Sequence, residues 1–301
     1  MERSGEGDGR DYMIGQARFT ARPPAPGLYL VATPIGNLGD ITIRALETLA
    51  AADIVACEDT RVTRVLLDRF GIRRRTTAYH EHNEAEAGAR LLAAVVEGGS
   101  VALVSDAGTP LVSDPGYRLV GAVLDAGHRV FPIPGPSAAV AALTASGLPT
   151  DSFLFAGFLA SRDGQRRSRL EELHSVPASL VFYESPRRLA DSLQAMADVF
   201  GASRPGAVLR EITKSYEETR RGTLGELASH YAESGAPKGE VVVCIGPPVQ
   251  VEARPVDVDA LLLGLASEMP ASKASAEAAR MTGMSKSDLY KRLLTLKGHG
   301  Q

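Results

Sequence analysis

The sequence predicts an α/β protein of two domains followed by a small helical segment, and three observations carry that expectation. Its 301 residues are too many for one ordinary hydrophobic core and enough for two. Through the first half, short apolar runs alternate with amphipathic stretches of helical period, the pattern of a mostly parallel sheet. In the second half, two strand-like runs are separated only by a brief turn around Lys214 and Ser215, which calls for an antiparallel pair and a mixed sheet.

Taken in order, residues 1–26 are rich in Gly, Arg and Pro and show no period that would bury a face, so they read as a flexible N-terminal arm. The first α/β domain, residues 27–135, carries strand runs "LYLVA", "DIVAC", "VALVS" and "RVFPI", with helical "TIRALETLAAA" and "EAEAGARLLAAVVEGG" between them. The second, residues 136–248, carries "SFLFAGF", "SLVFYE", "AVLREIT", "YEETRRGTL" and "EVVVCIG", with helical "SPRRLADSLQAMADVFG". Pro247 and Pro248 then break the chain. Residues 249–301 read as a linker and a helix-turn-helix-like tail, too short to expect a substantial core of its own.

With 44% apolar and 23% charged residues and no apolar run near the roughly 18 residues of a membrane span, the chain is expected to be globular and free of membrane. Cys57 and Cys244 stand far apart in apolar runs and read as buried strand thiols, which suits a reducing cytoplasm. The start shows no basic-apolar-cleavage pattern of secretion. A net charge of −3 does not by itself suggest nucleic acid, but a local basic face can act inside a near-neutral whole.

Three strand-end turns are candidates for ligand contact. "ATPIGNLGD" turns on Gly36, Asn37 and Gly39, and Asp40 or Thr42 can cap the next helix. It lacks Walker or dinucleotide spacing, so neither ATP nor NAD follows. "SDAGTPLVSDPG" follows an apolar strand. Asp114 there reads as the cap of a helix begun by Pro115, whereas Asp106 leaves the strand end directly and is the better ligand contact. "PIPGPSAAVAAL" brings Ser137 to a helix start at the same edge. Together they describe a pocket for a polar small molecule.

These stretches, with "CEDTRVTRVLL", "YHEHNE", "VFYESPRRL", "REITKSYEE" and "PKGEVV", resemble in collinear order the ribosomal RNA small subunit methyltransferase I family, a branch of the tetrapyrrole methylase superfamily. The resemblance implies two α/β domains of the tetrapyrrole methylase type with a cofactor cleft between them. It implies a homodimeric S-adenosyl-L-methionine-dependent enzyme that methylates the ribose 2'-hydroxyl of a decoding-centre cytidine in bacterial 16S rRNA, on free RNA or the small ribosomal subunit. Carried over by position, it puts Pro34 and Gly36 beside the cofactor and Asp106, Gly108 and Thr109 around its ribose and methionine ends. Ser137 and Ala138 would contact the methionine part, while Tyr183, Leu209 and Gly239 would close the pocket from the second domain. Tetrapyrrole-acting relatives carry a richer Gly-Pro-Gly-Asp turn where this chain has "TPIGNLGD", which favours RNA. The rival readings are methylation of a tetrapyrrole carbon and a non-catalytic RNA-binding factor in ribosome assembly.

Methyl transfer to a ribose hydroxyl needs alignment and a proton acceptor. Glu184 is the expected acceptor, His80 the second choice and Lys214 an electrostatic helper; Lys238 and Glu240 are further site residues. "YHEHNE" lacks a third ligand at suitable spacing, so no metal is expected. Asn83 reads as the cap of the helix from Glu84. For RNA phosphates, Arg61, Arg64, Arg187 and Arg188 are the expected contacts, with "GIRRRT" and "SRDGQRRSR" as further basic clusters. At 5% aromatic content, shape and phosphate contacts outweigh base stacking. In the tail, basic "YKRLLTLK" would form the second helix of a helix-turn-helix, capped by Ser285 or Ser287.

Overall fold

Five parallel strands come from the first apolar runs: β3 (Gly27–Val31), β4 (Ile54–Cys57), β5 (Thr76–Ala78), β6 (Ser100–Val104) and β7 (Val130–Ile133), in the order β5-β4-β6-β3-β7. The computed structural model describes residues 9–248 and 257–298, which belong to two units divided between Pro248 and Val249. Much of the expected linker, residues 249–256, lies outside the described residues, as do residues 1–8 of the arm.

Both faces of this sheet are covered, as parallel sheets require. On one side α1 (Ile43–Ala51) and α2 (Thr60–Arg69) pack Leu46, Leu49 and Leu67 against Val31, Val55 and Val104. On the other, α3 (Glu84–Val96) and α4 (Tyr117–Asp125) pack Leu91, Val95 and Leu119 against Leu28, Val101 and Leu103.

The expected flexible arm is corrected. Asp11–Ile14 (β1) and Ala17–Thr20 (β2) pair as an antiparallel hairpin. Tyr12 stacks on Phe19 with ring centroids 5.5 Å apart and is buried in the core that α1 lines, and the Met13 amide donates to the Phe70 carbonyl at 2.7 Å. That burial is the driving force the composition concealed.

The second sheet is mixed, in the order β11-β10-β12-β9-β8, from β8 (Phe153–Phe158), β9 (Ser179–Glu184), β10 (Pro205–Arg210), β11 (Glu218–Thr223) and β12 (Val241–Ile245). Strands β10 and β11 are the antiparallel pair, and β8 runs parallel to β9. In β12, Val241, Val243 and Ile245 face α6 (Asp163–Leu173), α7 (Leu189–Phe200) and α8 (Leu224–Ser234). Val242 and Cys244 face α5 (Ala138–Ser146), the helix that leaves the first sheet after β7 and packs on the second. A period of two thus buries both faces of one strand. Cys57 and Cys244 are both free and buried, one in each sheet.

Residues 257–298 form α9 (Val258–Glu268), α10 (Ala271–Thr282) and α11 (Lys286–Gly298), the last beginning after Ser285. The expectation of no core here is corrected: Leu262, Ala274, Ala278, Leu289 and Leu293 are fully buried against one another. Small alanines let α10 approach its neighbours closely, so a short segment closes a core. Among the described residues no helix is long and apolar enough to cross a membrane.

Candidate active site

The loops after β3, β6 and β7 all lie at the carboxyl edge of the parallel sheet, where open α/β sheets receive ligands. A two-way backbone bridge ties the first two: the Thr33 amide donates to the Gly108 carbonyl at 2.9 Å and the Gly108 amide returns to Thr33 at 3.0 Å. Gly108 has φ +84°, and a Cβ there would press on Ile35 at 3.3 Å. The Thr109 hydroxyl donates to the Pro136 carbonyl at 3.1 Å, joining the β6 loop to the β7 loop. The helix after β7 begins at Ala138, with Ser137 as its cap residue but no side-chain bond to the helix amides. Those amides remain donors at the positive end of α5.

Between these loops and the second sheet lies a cavity of about 420 Å³. From the first domain it takes Ile35, Asp106, Gly108, Thr109, Val112 and Asp114; from α5 and its cap, Ser137 and Ala138; from the second domain, Phe158, Tyr183, Glu184, Ile212, Glu240 and Val242. Of the residues named from the sequence, Asp106, Gly108, Thr109, Ser137, Ala138, Tyr183 and Glu184 share the wall of this cavity. Tyr183 packs edge-on to Phe155 at 4.8 Å and Phe158 at 5.5 Å, and burial raises its hydroxyl pKa despite a backbone hydrogen bond from Ala139.

The other expected cofactor contacts stand one step back from the wall. Pro34 and Gly36 belong to the β3 turn, and a Cβ at Gly36 would run into the stem of Lys214 from the second domain. Leu209 is buried beneath Ala138 and Tyr183 in the α5-facing core. Gly239, with φ +93°, gives Glu211 room, since a Cβ there would collide with its side chain.

Three of the expected catalytic assignments are corrected. Glu184 reaches the cavity wall, but its side chain is wholly buried and its lone pairs are committed: Oε1 takes the Ser185 amide at 2.6 Å and Arg188 at 2.7 Å, and Oε2 takes the Ser192 hydroxyl at 2.6 Å. Both oxygens are thus turned to donors within the second domain and not to a substrate hydroxyl. His80 is absent from the lining; its Nδ1 is buried without a hydrogen-bond partner, and its amide donates to Asn83 Oδ1 at 2.8 Å. Lys214 spends its ammonium on Glu211 at 2.7 Å and Glu240 at 2.8 Å, so it aims Glu240 at the cavity and does not face it itself. Burial works against the Lys214 charge, yet the two carboxylates outweigh it and its pKa lies above the ordinary lysine value.

The reading of Asp114 as a helix cap is corrected. The residue caps nothing: α4 starts at Tyr117, and Gly116, at φ +129°, is the residue before it. The loop reaches this point through Leu111 and Ser113, both at positive φ near 70°, a conformation that strains ordinary side chains. Asp114 lies on the cavity wall, where burial, then Glu58, then Asp106 push its carboxyl up to about 6, with only the nearby Ser105 hydroxyl acting the other way. Asp106 itself accepts the Asp59 amide at 3.0 Å.

The arginines divide. Arg188 is bound to Glu184 and to the Leu159 carbonyl, so its RNA role is corrected to a structural one. Arg61 folds back on Asp59 at 2.6 Å, which brings that carboxyl down to about 2, although the arginine is 89% exposed. Arg64 and Arg187 are exposed and have no ion-pair partner among the described residues. In "SRDGQRRSR", Asp163, Asp198 and Glu172 take up Arg166, Arg167 and Arg169 as ion pairs. Asn83 precedes α3 but bonds the turn and not the helix amides. Among the described residues no three His, Cys, Asp or Glu side chains converge as a metal cage.

Comparison with known proteins agrees with this architecture. Residues 27–228 match the family of Tetrapyrrole (Corrin/Porphyrin) Methylases, and residues 252–297 match the RsmI C-terminal HTH domain. Ribosomal RNA small subunit methyltransferase I of Mesorhizobium japonicum is 68% identical over 285 residues, 95% of this chain and 97% of that protein. The protein of that name from Escherichia coli O157:H7 is 48% identical over 90% of this chain and 96% of its own. Among solved structures, uroporphyrin-III-C-methyltransferase from Thermus thermophilus aligns with TM-score 0.53 at 24% identity, over 75% of this chain and 97% of that one. Diphthine synthase aligns with TM-score 0.58 at 17% identity, over 73% and 89%. These structural likenesses establish the fold, and the close sequence relatives establish the branch: the chain belongs to the ribosomal RNA small subunit methyltransferase I family, on the tetrapyrrole methylase fold.

Proposed function

We propose that this protein is a cytoplasmic, homodimeric enzyme that transfers a methyl group from S-adenosylmethionine to the RNA of the small ribosomal subunit, at the 2'-hydroxyl of a decoding-centre cytidine in 16S rRNA. The observation that carries the reading is the cavity at the carboxyl edge of the parallel sheet, in a chain 68% identical to a relative named for small-subunit RNA methylation. S-adenosylmethionine fits the residues present. Its carboxylate matches the uncapped amides of α5; its ammonium and sulfonium charges match Asp106 and Glu240; its apolar parts match Ile35, Val112, Ala138 and Val242. When bound, it supplies an activated methyl.

The chain's own residues then have to bind, orient and exclude water. Tyr183 and Phe158 wall the cavity on the second-domain side, and Lys214 bridges the domains from Glu240 to the turn at Gly36. Arg64 and Arg187 are the arginines placed to meet phosphate, with Arg61 available once it leaves Asp59. The deciding experiment supplies labelled S-adenosylmethionine and small subunits from cells lacking the modification, followed by nucleoside analysis. Labelled 2'-O-methylcytidine is the expected product. Tight RNA binding without transfer would point instead to an assembly factor, and transfer to a porphyrinoid alone to the tetrapyrrole reading.

A further inference from the structure

Four acids line the cavity, and three are already engaged. Glu184 is held by Arg188, Ser185 and Ser192. Glu240 is paired with Lys214 and its side chain is 77% exposed. Asp106 takes the Asp59 amide and so anchors the loop after β4. We infer that the fourth, Asp114, is the proton acceptor of the reaction, its carboxylate delivered to the cavity by the strained turn through Leu111 and Ser113; this rests on the methyl-transfer reading above. The ribose 2'-O–H bond breaks and its proton goes to the Asp114 carboxylate. The oxygen forms the new bond to the methyl carbon, and the sulfur–methyl bond breaks with its electron pair left on sulfur.

The surroundings are suited to that task. Glu58 from the loop after β4 and Asp106 from the loop after β6 face Asp114, and Tyr183 approaches from β9, while the Ser105 hydroxyl donates to the Ala107 and Gly108 carbonyls at 3.2 Å. No cation is among the groups acting on it. Buried beside like charges, its carboxyl sits near 6, so at neutral pH it is ionised yet far more basic than an exposed aspartate.

The test is single-turnover methyl transfer to small subunits as a function of pH, with S-adenosylhomocysteine affinity measured in parallel by calorimetry. For the wild type we expect the rate to fall tenfold per pH unit below about 6. Asp114→Asn should lose on the order of 100-fold or more in rate, the range of general-base catalysis, with ligand affinity within about threefold of wild type. Glu58→Gln should stay active and move the acid limb to lower pH, because it removes a like charge that raises Asp114. An Asp114→Asn protein that transfers methyl at the wild-type rate would overturn the assignment. Should that variant fail to fold, an acid limb that Glu58→Gln leaves in place would overturn it equally. If the wild type transfers no methyl at all, the methyl-transfer reading falls and this inference with it.

Discussion

Asp106→Ala removes the acceptor of the Asp59 amide and one of the anions at the cavity. A charge-assisted hydrogen bond is worth about 1.5–3 kcal/mol, so S-adenosylhomocysteine affinity should fall roughly 10- to 100-fold while circular dichroism is unchanged. Undiminished affinity by calorimetry would take Asp106 out of the pocket. Asp114 makes the opposite prediction for stability. Its carboxyl in the fold lies above its unfolded value, so the fold favours its protonated form; the associated stability is present below about pH 4 and lost as pH rises through about 6. Asp114→Asn should therefore melt higher than wild type at pH 8 and no higher at pH 4, by calorimetric scans at the two pH values. The two aspartates differ in how readable they were. Asp106 follows its strand without a gap, so its place came from position alone. Asp114 precedes a Pro-Gly pair that also fits a helix start, and only the path of the loop shows otherwise: a Cβ at Gly116 would meet Leu103 at 2.9 Å, so the chain hugs β6 and turns its acid inward before α4 begins.

At the scale of elements, the stretch from the end of β9 into α7 is held by one buried acid. Arg188→Ala would leave Glu184 with its charge in a wholly buried site and lose the tie to Leu159, a loss of roughly 3 kcal/mol by denaturant unfolding. A change under 0.5 kcal/mol would mean that water or Ser192 suffices. The turn from α8 into β12 depends on Gly239 in a similar way. Gly239→Ala imposes both an unfavourable φ and a collision with Glu211, and should loosen the Glu211–Lys214–Glu240 network, seen as weaker cofactor affinity more than as lost folding. Periodicity made β12 and the β10–β11 pair legible, because a strand buried on both faces leaves a continuous apolar run. Ion pairing was not legible. "SPRR" and "SRDGQRR" look like basic patches in one dimension, and only the turn of α6, the packing of α7 beside it and the tight turn after β9 bring Asp163, Asp198 and Glu184 against them.

For the whole molecule, every cavity-lining residue falls between Ile35 and Val242, and the helices from Val258 onward have their own core. Ending the chain at Pro248 should thus leave S-adenosylhomocysteine affinity intact and lower affinity for small subunits, with a shallower salt dependence if Lys286, Lys291 or Lys297 meets phosphate. Equal RNA affinity with and without the segment would make it a structural appendage. The hairpin of β1 and β2 shows where composition misleads at this scale, since a Gly- and Arg-rich start hid one tyrosine that docks on α1. One feature of the two sheets has a practical use. Each holds a single free thiol sealed in its interior, and burial pushes that of Cys244 up to about 12 while raising that of Cys57 as well. A thiol reagent can reach either sulfur only when the surrounding lobe opens. The wild-type protein therefore carries one built-in reporter per lobe. Site-resolved labelling rates with and without S-adenosylhomocysteine would show which half of the cleft the ligand stiffens, with no engineered probe.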